Sequence, residues 1–586
     1  MSERKIQKLF QRAVGHYQAG QLSQAEALYR QILAQEPKHA GALYDLGLIA
    51  YQTGRLDIAV DLIRKAIARQ PNWPQAWNNL AIALGRKGQL DEAIAACRQA
   101  IALKPNFAEA YSNLGNALRY KGQLEEAIRA YRQATVLKPN YPEAFNNLGN
   151  ALKDKGQLDQ ASAAYRQAIV LQPNYAQAHS NLIFTMHYDP GNDAGMIAQE
   201  TGRWNRQHAE PLKKFIQPHG NDRDPDRRLR IGYVSPDFRE HPVGRFLLAL
   251  LAQHDKSQVE VFAYAQITVP DAMTQRLRSC IDGWRNIVAL SDAQVADLIR
   301  QDQIDILVDL AMHSAQNRLL VFARKPAPVQ VTNMAYPGTT GLQAIDYRIS
   351  DPYLDPPGRS DANYSEQTVR LPDTFWCDGE MQRDIEVGPL AADAAGHVTF
   401  GCLNNFCKIN EQVLQLWARV MNRISGSQLI MLAPAGDARQ WVHEVFEKLG
   451  VTAQRVEFVS HQPRRLYLQT YHRIDIGLDT FPYNGHATSL DSFWMGVAVV
   501  TRVGRTVVGR AGWSQLSNLN LCELAAQDDD QFVSIAAELA ADRPRLSALR
   551  LNLRARMQAS ALMDAPKFAR NVEAAYRRMW RTWCGK

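Results

Sequence analysis

The sequence predicts an all-α helical-repeat superhelix followed by an α/β region of two doubly wound, nucleotide-binding-type lobes. Three observations carry this prediction. Prolines recur every 34 residues, at Pro37, Pro71, Pro105, Pro139 and Pro173, and glycines keep the same period at Gly20, Gly54, Gly88, Gly122 and Gly156. Beyond residue 228, short β-branched runs alternate with amphipathic helical stretches. Polar clusters then fall where those strands should end.

Each 34-residue unit reads as helix, tight turn, helix. The glycine supplies the backbone freedom the turn needs and the proline stops the second helix. Small residues such as Ala93 and Ala127 let paired helices approach closely. Five full units run from about residue 5 to 174, with a half unit near 175–189. The pattern resembles the tetratricopeptide repeat, whose period it shares. Stacked repeats offer a long concave wall for binding. One position of successive first helices reads Asp45, Asn79, Asn113, Asn147, Asn181. An amide both donates and accepts, so such a ladder either grips an extended acceptor backbone or bonds between neighbouring helices.

The periodicity ends at His187. A turn-rich break at Tyr188-Asp189-Pro190-Gly191, a helix around 194–210 and a polar linker from Gln217 to Arg228 follow. The expected domains are the repeats at 1–189, a helical linker at 190–228, an N-terminal lobe at 229–375, a short connector at 376–396, and a C-terminal lobe with a final helix at 397–586.

Strands are expected at Arg230, Val259, Asp305 and Val329 in the first lobe, and at Val398, Gln428, Val456, Ile474 and Val497 in the second. This βαβ alternation implies parallel sheets whose carboxyl ends flank a ligand cleft. The clusters His241-Pro242-Val243-Gly244-Arg245, Met312-His313-Ser314 and Ala335–Gly341 follow strands of the first lobe. Asn404–Ile409 and Phe481–Asp491 do so in the second. Neither lobe carries GxGxxG or a P-loop lysine, which disfavours a dinucleotide dehydrogenase or an NTPase.

Composition narrows the class further. The chain is 46% hydrophobic and 22% charged, that of a globular protein, and 586 residues exceed a single core. A net charge of +8 without a basic, aromatic-laced stripe gives no sign of a nucleic-acid partner. No apolar run suggests a membrane partner, and seven scattered cysteines with no CxxC pair point to a cytoplasmic setting.

Tyr336-Pro337-Gly338-Thr339, Asn404-Asn405-Phe406-Cys407-Lys408-Ile409 and Asp479-Thr480-Phe481-Pro482-Tyr483-Asn484-Gly485 follow the repeats in that order. In these the chain resembles the protein O-linked N-acetylglucosamine transferase and Spindly family, across nearly its whole length. The short connector, lacking the large intervening domain of animal members, resembles the bacterial type. The resemblance implies a GT-B fold and inverting transfer of N-acetylglucosamine from UDP-GlcNAc to Ser or Thr hydroxyls of proteins held by the repeats. Fucose transfer from GDP-fucose, as in Spindly-type relatives, and a binding scaffold with a degenerate transferase half are the alternatives.

The same resemblance assigns roles. Lys408 neutralises the departing diphosphate and His241 faces the reacting sugar and acceptor. His313, Tyr336, Pro337, Gly338, Thr339 and Asn405 shape the donor pocket. Arg464 and Tyr467 approach the base, Asp491 the ribose, and Asn484, Gly485, His486, Ala487 and Thr488 the diphosphate at a helix start. Ala487 stands where relatives often carry a threonine, which removes one hydroxyl from that clamp. No metal or other cofactor is expected, because Lys408 and helix-end amides can do a cation's charge work.

Overall fold

The computed structural model describes residues 3–379, 381–382 and 384–585. It divides into two compact units, one of residues up to Lys155 with Ala163–Leu171, the other of Gly156–Ser162 with Gln172 onward. The expected boundary at residue 189 therefore falls earlier. The half repeat packs with the α/β region, where Trp204 is buried and its indole N–H donates to Ala176 O at 3.2 Å.

The helices of the first unit alternate as the period requires. Glu3–Gln18 precedes Leu22–Gln35, Ala40–Gln52 precedes Leu56–Arg69, and Pro74–Arg86 precedes Leu90–Leu103; Ala108–Tyr120 and Leu124–Leu137 follow, then Pro142–Asp154 and Leu158–Leu171. The turn glycines Gly20, Gly54, Gly88 and Gly122 all lie at φ between +73° and +81°, a region closed to most side chains. Close packing of helix pairs rests on more than the alanines. A Cβ on Gly115 would lie 2.6 Å from the buried Tyr131 ring, and one on Gly149 would lie as close to Tyr165. Glycine in the first helix thus seats an aromatic ring from the second.

In the second unit the helix Ala194–Trp204 continues through a π turn, Asn205–Ala209, into a 3₁₀ turn, Glu210–Phe215. Among the described residues thirteen strands then form two parallel sheets. Lobe one holds β1 (Leu229–Ser235), β2 (Val259–Ala265), β3 (Gly283–Asn286), β4 (Ile306–Asp309), β5 (Val329–Thr332), β6 (Tyr347–Ser350) and β7 (Gln367–Arg370), in the order β3-β2-β1-β4-β5-β6-β7. Lobe two holds β8 (Thr399–Cys402), β9 (Gln428–Leu432), β10 (Val456–Val459), β11 (Ile476–Leu478), β12 (Ala498–Arg502) and β13 (Ala525–Ala526), in the order β10-β9-β8-β11-β12-β13. The central strands β4, β5, β8 and β11 are buried throughout, as parallel strands covered on both faces must be.

The final helix, Ala565–Cys584, follows lobe two but packs on lobe one, against the helix Pro242–Leu251 and β5. Trp580 Nε1 donates to Asp224 O at 3.0 Å, and His254 Nδ1 lies 2.7 Å from Glu573 Oε1. This helix ties the ends of the α/β region together. No helix among the described residues is long and apolar enough to cross a membrane.

Candidate active site

Each sheet changes its direction of winding at one point, between β1 and β4 and between β8 and β11. Ligands of doubly wound sheets bind beyond the carboxyl ends of such strands. A cavity of about 460 Å³ opens there, shared by both lobes. Lobe one contributes His241 and Tyr336 to its lining, and lobe two contributes Asn405, Lys408, His486, Ala487 and Thr488.

Lys408 closes a single turn after β8. Asn405 starts that turn, its side-chain oxygen accepting from Cys407 N at 3.3 Å. The lysine ammonium donates to Asn484 O at 2.7 Å and lies 4.3 Å from the centre of the Tyr483 ring. Burial pushes its pKa down to about 8, against the opposing pull of Asp479. Three protons and one backbone partner leave donors for an anionic ligand.

The segment after β11 is held by Asp479. Its Oδ1 accepts from Thr480 N at 2.8 Å and Gly485 N at 2.6 Å, and its Oδ2 from the Thr501 hydroxyl at 2.7 Å. Gly485 is required by space: a Cβ there would sit 2.2 Å from Ser489 Oγ. Asn484 Nδ2 donates to Thr480 O at 2.8 Å, so Asn484 and Gly485 act through the backbone and lie behind the cavity wall. The helix Ala487–Trp494 begins next. His486 stacks on Tyr483 at 4.6 Å, its Nε2 is 3.3 Å from Val508 O, and Trp376 approaches at 5.3 Å. Burial, then Lys408, pushes this imidazole well below its ordinary pKa, so it is neutral. The Thr488 hydroxyl donates to the buried Asn404 side chain.

His241 caps the helix Pro242–Leu251, its Nδ1 accepting from Val243 N at 3.3 Å. The same nitrogen is 3.5 Å from Asp237 Oδ2. Burial lowers the His241 pKa, while Asp237 partly restores it, so the ring is neutral near pH 7 and able to take a proton.

Other expected residues sit off the cavity wall. Asp491, almost fully buried, is bound at both oxygens by Arg464, whose guanidinium lies 5.4 Å from the Tyr467 ring. The Tyr467 hydroxyl meets that of Tyr471 at 3.0 Å, and Tyr471 donates to Thr488 O at 3.1 Å. This cluster buttresses the helix that carries Thr488. Thr339 is buried with its hydroxyl on Glu366 at 2.6 Å, Gly338 O accepts from Arg348 at 2.6 Å, and Pro337 is buried between them. The Tyr336–Thr339 segment therefore reaches the cavity through Tyr336, whose ring rests on Phe184 and His187.

His313 corrects an expectation. It has no solvent exposure, its Nδ1 is 3.0 Å from Ser180 Oγ and its Nε2 is 2.8 Å from Thr340 O. Burial drives its pKa down to about 3. With both nitrogens spent inside the protein it fastens the loop after β4 to the half-repeat helix Ala176–Met186 and makes no donor contact.

The asparagines of the repeats are half-buried and already engaged. Asn79 Nδ2 donates to Tyr44 OH at 2.5 Å, Asn113 to Asn78 at 2.8 Å, and Asn147 accepts from Asn146 at 3.4 Å. In the second unit Asn181 accepts from Gln177 at 3.1 Å. Each amide keeps unused capacity, since it offers two donors and two lone pairs.

Asp237, Asn404, Trp376 and Asp479 escaped the sequence reading. Two of them had a signal. A carboxylate that ends an apolar strand, as in Ile474-Asp475-Ile476-Gly477-Leu478-Asp479, needs buried donors. Asp237, four residues before His241, had one as well.

The family profile for Glycosyl transferase family 41 matches residues 196–385 and 390–572, and that for the Cilia and flagella-associated protein 70 C-terminal domain matches residues 5–199. A probable UDP-N-acetylglucosamine–peptide N-acetylglucosaminyltransferase SPINDLY of Petunia hybrida is 41% identical over 376 residues, 62% of this chain and 40% of that protein. The SEC counterpart of Arabidopsis thaliana is 30% identical over 370 residues, 61% of this chain and 38% of that protein. The chain thus spans about two fifths of the length of these relatives. A solved mutant of the Thermobaculum terrenum O-GlcNAc transferase is 37% identical with a TM-score of 0.82, covering 87% of this chain and 98% of that one. Relatives from plants lend no support to the expected bacterial-type grouping.

Proposed function

The chain belongs to glycosyl transferase family 41, and from that footing we propose that it is an inverting protein O-glycosyltransferase moving N-acetylglucosamine from UDP-GlcNAc to Ser or Thr hydroxyls. The observation that carries this reading is the single cavity where His241 of one lobe meets Lys408, His486 and Thr488 of the other. A general base and a diphosphate cradle in one cleft fit a displacement at an anomeric carbon.

In the proposed step the acceptor hydroxyl oxygen forms a bond to the anomeric carbon as the carbon–phosphate oxygen bond breaks. The electron pair leaves on the diphosphate, and configuration inverts. His241 takes the hydroxyl proton at Nε2, with Asp237 facing Nδ1 and stabilising the imidazolium. Lys408 and the first turn of the helix Ala487–Trp494 meet the charge gathering on the leaving diphosphate, in a site where water screens little. Asp491 is held in place by Arg464 as the ribose partner, and Tyr467 packs beside them toward the base. The repeats hold the acceptor protein, with the spare capacity of Asn79, Asn113, Asn147 and Asn181 available to its backbone. Free thiols at all seven cysteines support a cytoplasmic setting.

The test is incubation of the chain and an acceptor protein with UDP-GlcNAc and with GDP-fucose in separate reactions, measuring diphosphate release and acceptor mass. The expected result is turnover of UDP-GlcNAc with an N-acetylhexosamine added to Ser or Thr. Turnover of GDP-fucose alone would replace the donor. Release that survives Lys408→Ala undiminished would overturn the mechanism.

A further inference from the structure

Lobe two carries a second opening, a groove of about 710 Å³ on the other side of the loop that shapes the cleft. Tyr483 lines the cleft, whereas Phe481 and Pro482 line this groove. It lies past the carboxyl end of β12, with Arg502, Arg505 and Thr506 on one wall and Arg359 on another.

Its charges do not cancel. Arg502 is paired with Asp529 at 3.0 Å and lies 4.7 Å from the centre of the Phe481 ring. Asp193 and Asp528 also line the groove, but each already caps a helix, accepting from Met196 N and Gln531 N at 2.8 Å. Arg359 and Arg505 are exposed, and among the described residues neither guanidinium has a carboxylate partner. Deeper in, Thr506 is only 8% exposed, and its hydroxyl has no hydrogen-bond partner. A buried hydroxyl is rarely left unmet in a folded protein. Two unpaired arginine forks and an unsatisfied hydroxyl on one groove form a receptor for oxyanions.

We propose that this groove binds an acidic stretch of the acceptor polypeptide, its carboxylates on Arg359 and Arg505 and one oxygen reached by Thr506. This rests on the protein-transferase reading. Size favours a polypeptide over a lone inorganic anion, because the groove exceeds the cleft assigned to a whole sugar nucleotide.

The experiment measures binding of a fluorescent oligo-glutamate peptide to the full chain by anisotropy, without turnover. The variants are the double change Arg359→Gln with Arg505→Gln, and Thr506→Val. The double variant should weaken binding about tenfold or more, and high salt should weaken the wild type similarly. Thr506→Val should cost a few-fold. UDP-GlcNAc hydrolysis without acceptor and the melting temperature should stay unchanged in the double variant. Unaltered peptide affinity in that variant overturns the assignment, as does inorganic phosphate competing as tightly as the peptide. Arginine-dependent binding by a chain that turns over no donor would leave the groove standing and remove the transferase reading instead.

Discussion

The loops after β4 and β11 occupy equivalent places in the two lobes and are built by the same device. In lobe one Asp309 accepts from Ala311 N at 3.1 Å, Met312 N at 2.9 Å and the Thr332 hydroxyl of β5 at 2.8 Å. In lobe two Asp479 gathers Thr480 N, Gly485 N and the Thr501 hydroxyl of β12. Burial raises both carboxyls, Asp309 to about 6, while the donors around them pull the other way. Each loop carries a histidine, yet His313 is sealed between Ser180 and Thr340 while His486 lines the cleft beside Lys408. The half-repeat helix supplies Ser180 and covers the first loop; nothing covers the second in that way. A histidine after such a strand is a ligand contact or a rivet according to what packs over it.

The largest effect that tests this contrast lies in the presenting loop of lobe two. Lys408→Ala should lower transfer about 100- to 1000-fold, the range found when a single charge-stabilising donor is lost, with little change in melting temperature. The pH dependence refines it. The required form of Lys408 is the ammonium, so kcat/KM should fall as pH rises through about 8, the value burial imposes on the free enzyme. Lys408→Arg keeps its charge at every accessible pH and should abolish that alkaline limb whatever its residual rate. A wild-type limb that persists in the arginine variant would assign it to another group.

A smaller effect separates the two histidines directly. His486→Phe keeps the ring stacked on Tyr483 but removes the nitrogens from the cleft, and should raise the donor KM or lower kcat by about tenfold. His313→Phe strands Ser180 and Thr340 in the interior. It should cost about 1–3 kcal/mol of stability by thermal or denaturant melting and leave the donor KM alone. If His313→Phe changed KM and His486→Phe changed only stability, the two loops would have to be assigned the other way round.

Much of this architecture was legible in the residues. The strict period of Gly20, Gly54, Gly88 and Gly122 required positive φ at each turn, and the structure has it. The long apolar strands showed themselves, but β3, β6, β7 and β13 did not. Gly-Trp-Arg-Asn, Tyr-Arg-Ile-Ser, Gln-Thr-Val-Arg and Ala-Ala are short or polar runs at or near sheet edges, where no two-sided core enforces an apolar pattern. The cleft was readable because strand ends announce it. The fate of His313 was not, since Ser180 lies 133 residues away in sequence and only folding brings it near. Asp491 and Arg464 were each expected to face the nucleotide, and their pairing with one another is likewise a tertiary fact.

The smallest predicted effect concerns the histidine that lobe one does present. Two groups compete for His241 Nδ1: the Val243 N–H needs its lone pair, whereas Asp237, 3.5 Å away, favours a proton there. Only the tautomer with Nδ1–H toward Asp237 leaves Nε2 free to accept the acceptor's proton. Asp237→Asn removes the charge that favours this tautomer and the imidazolium that follows, so transfer at neutral pH should drop by roughly tenfold or less. The sign of the accompanying pH shift is fixed. Burial already holds the His241 pKa below its ordinary value and Asp237 opposes that, so losing the carboxylate lowers it further. The acid limb of kcat/KM should therefore move to lower pH even as the plateau falls. A merely structural role for Asp237 would depress the plateau and leave the limb where it was, and a limb moving upward would exclude Asp237 as the partner of His241.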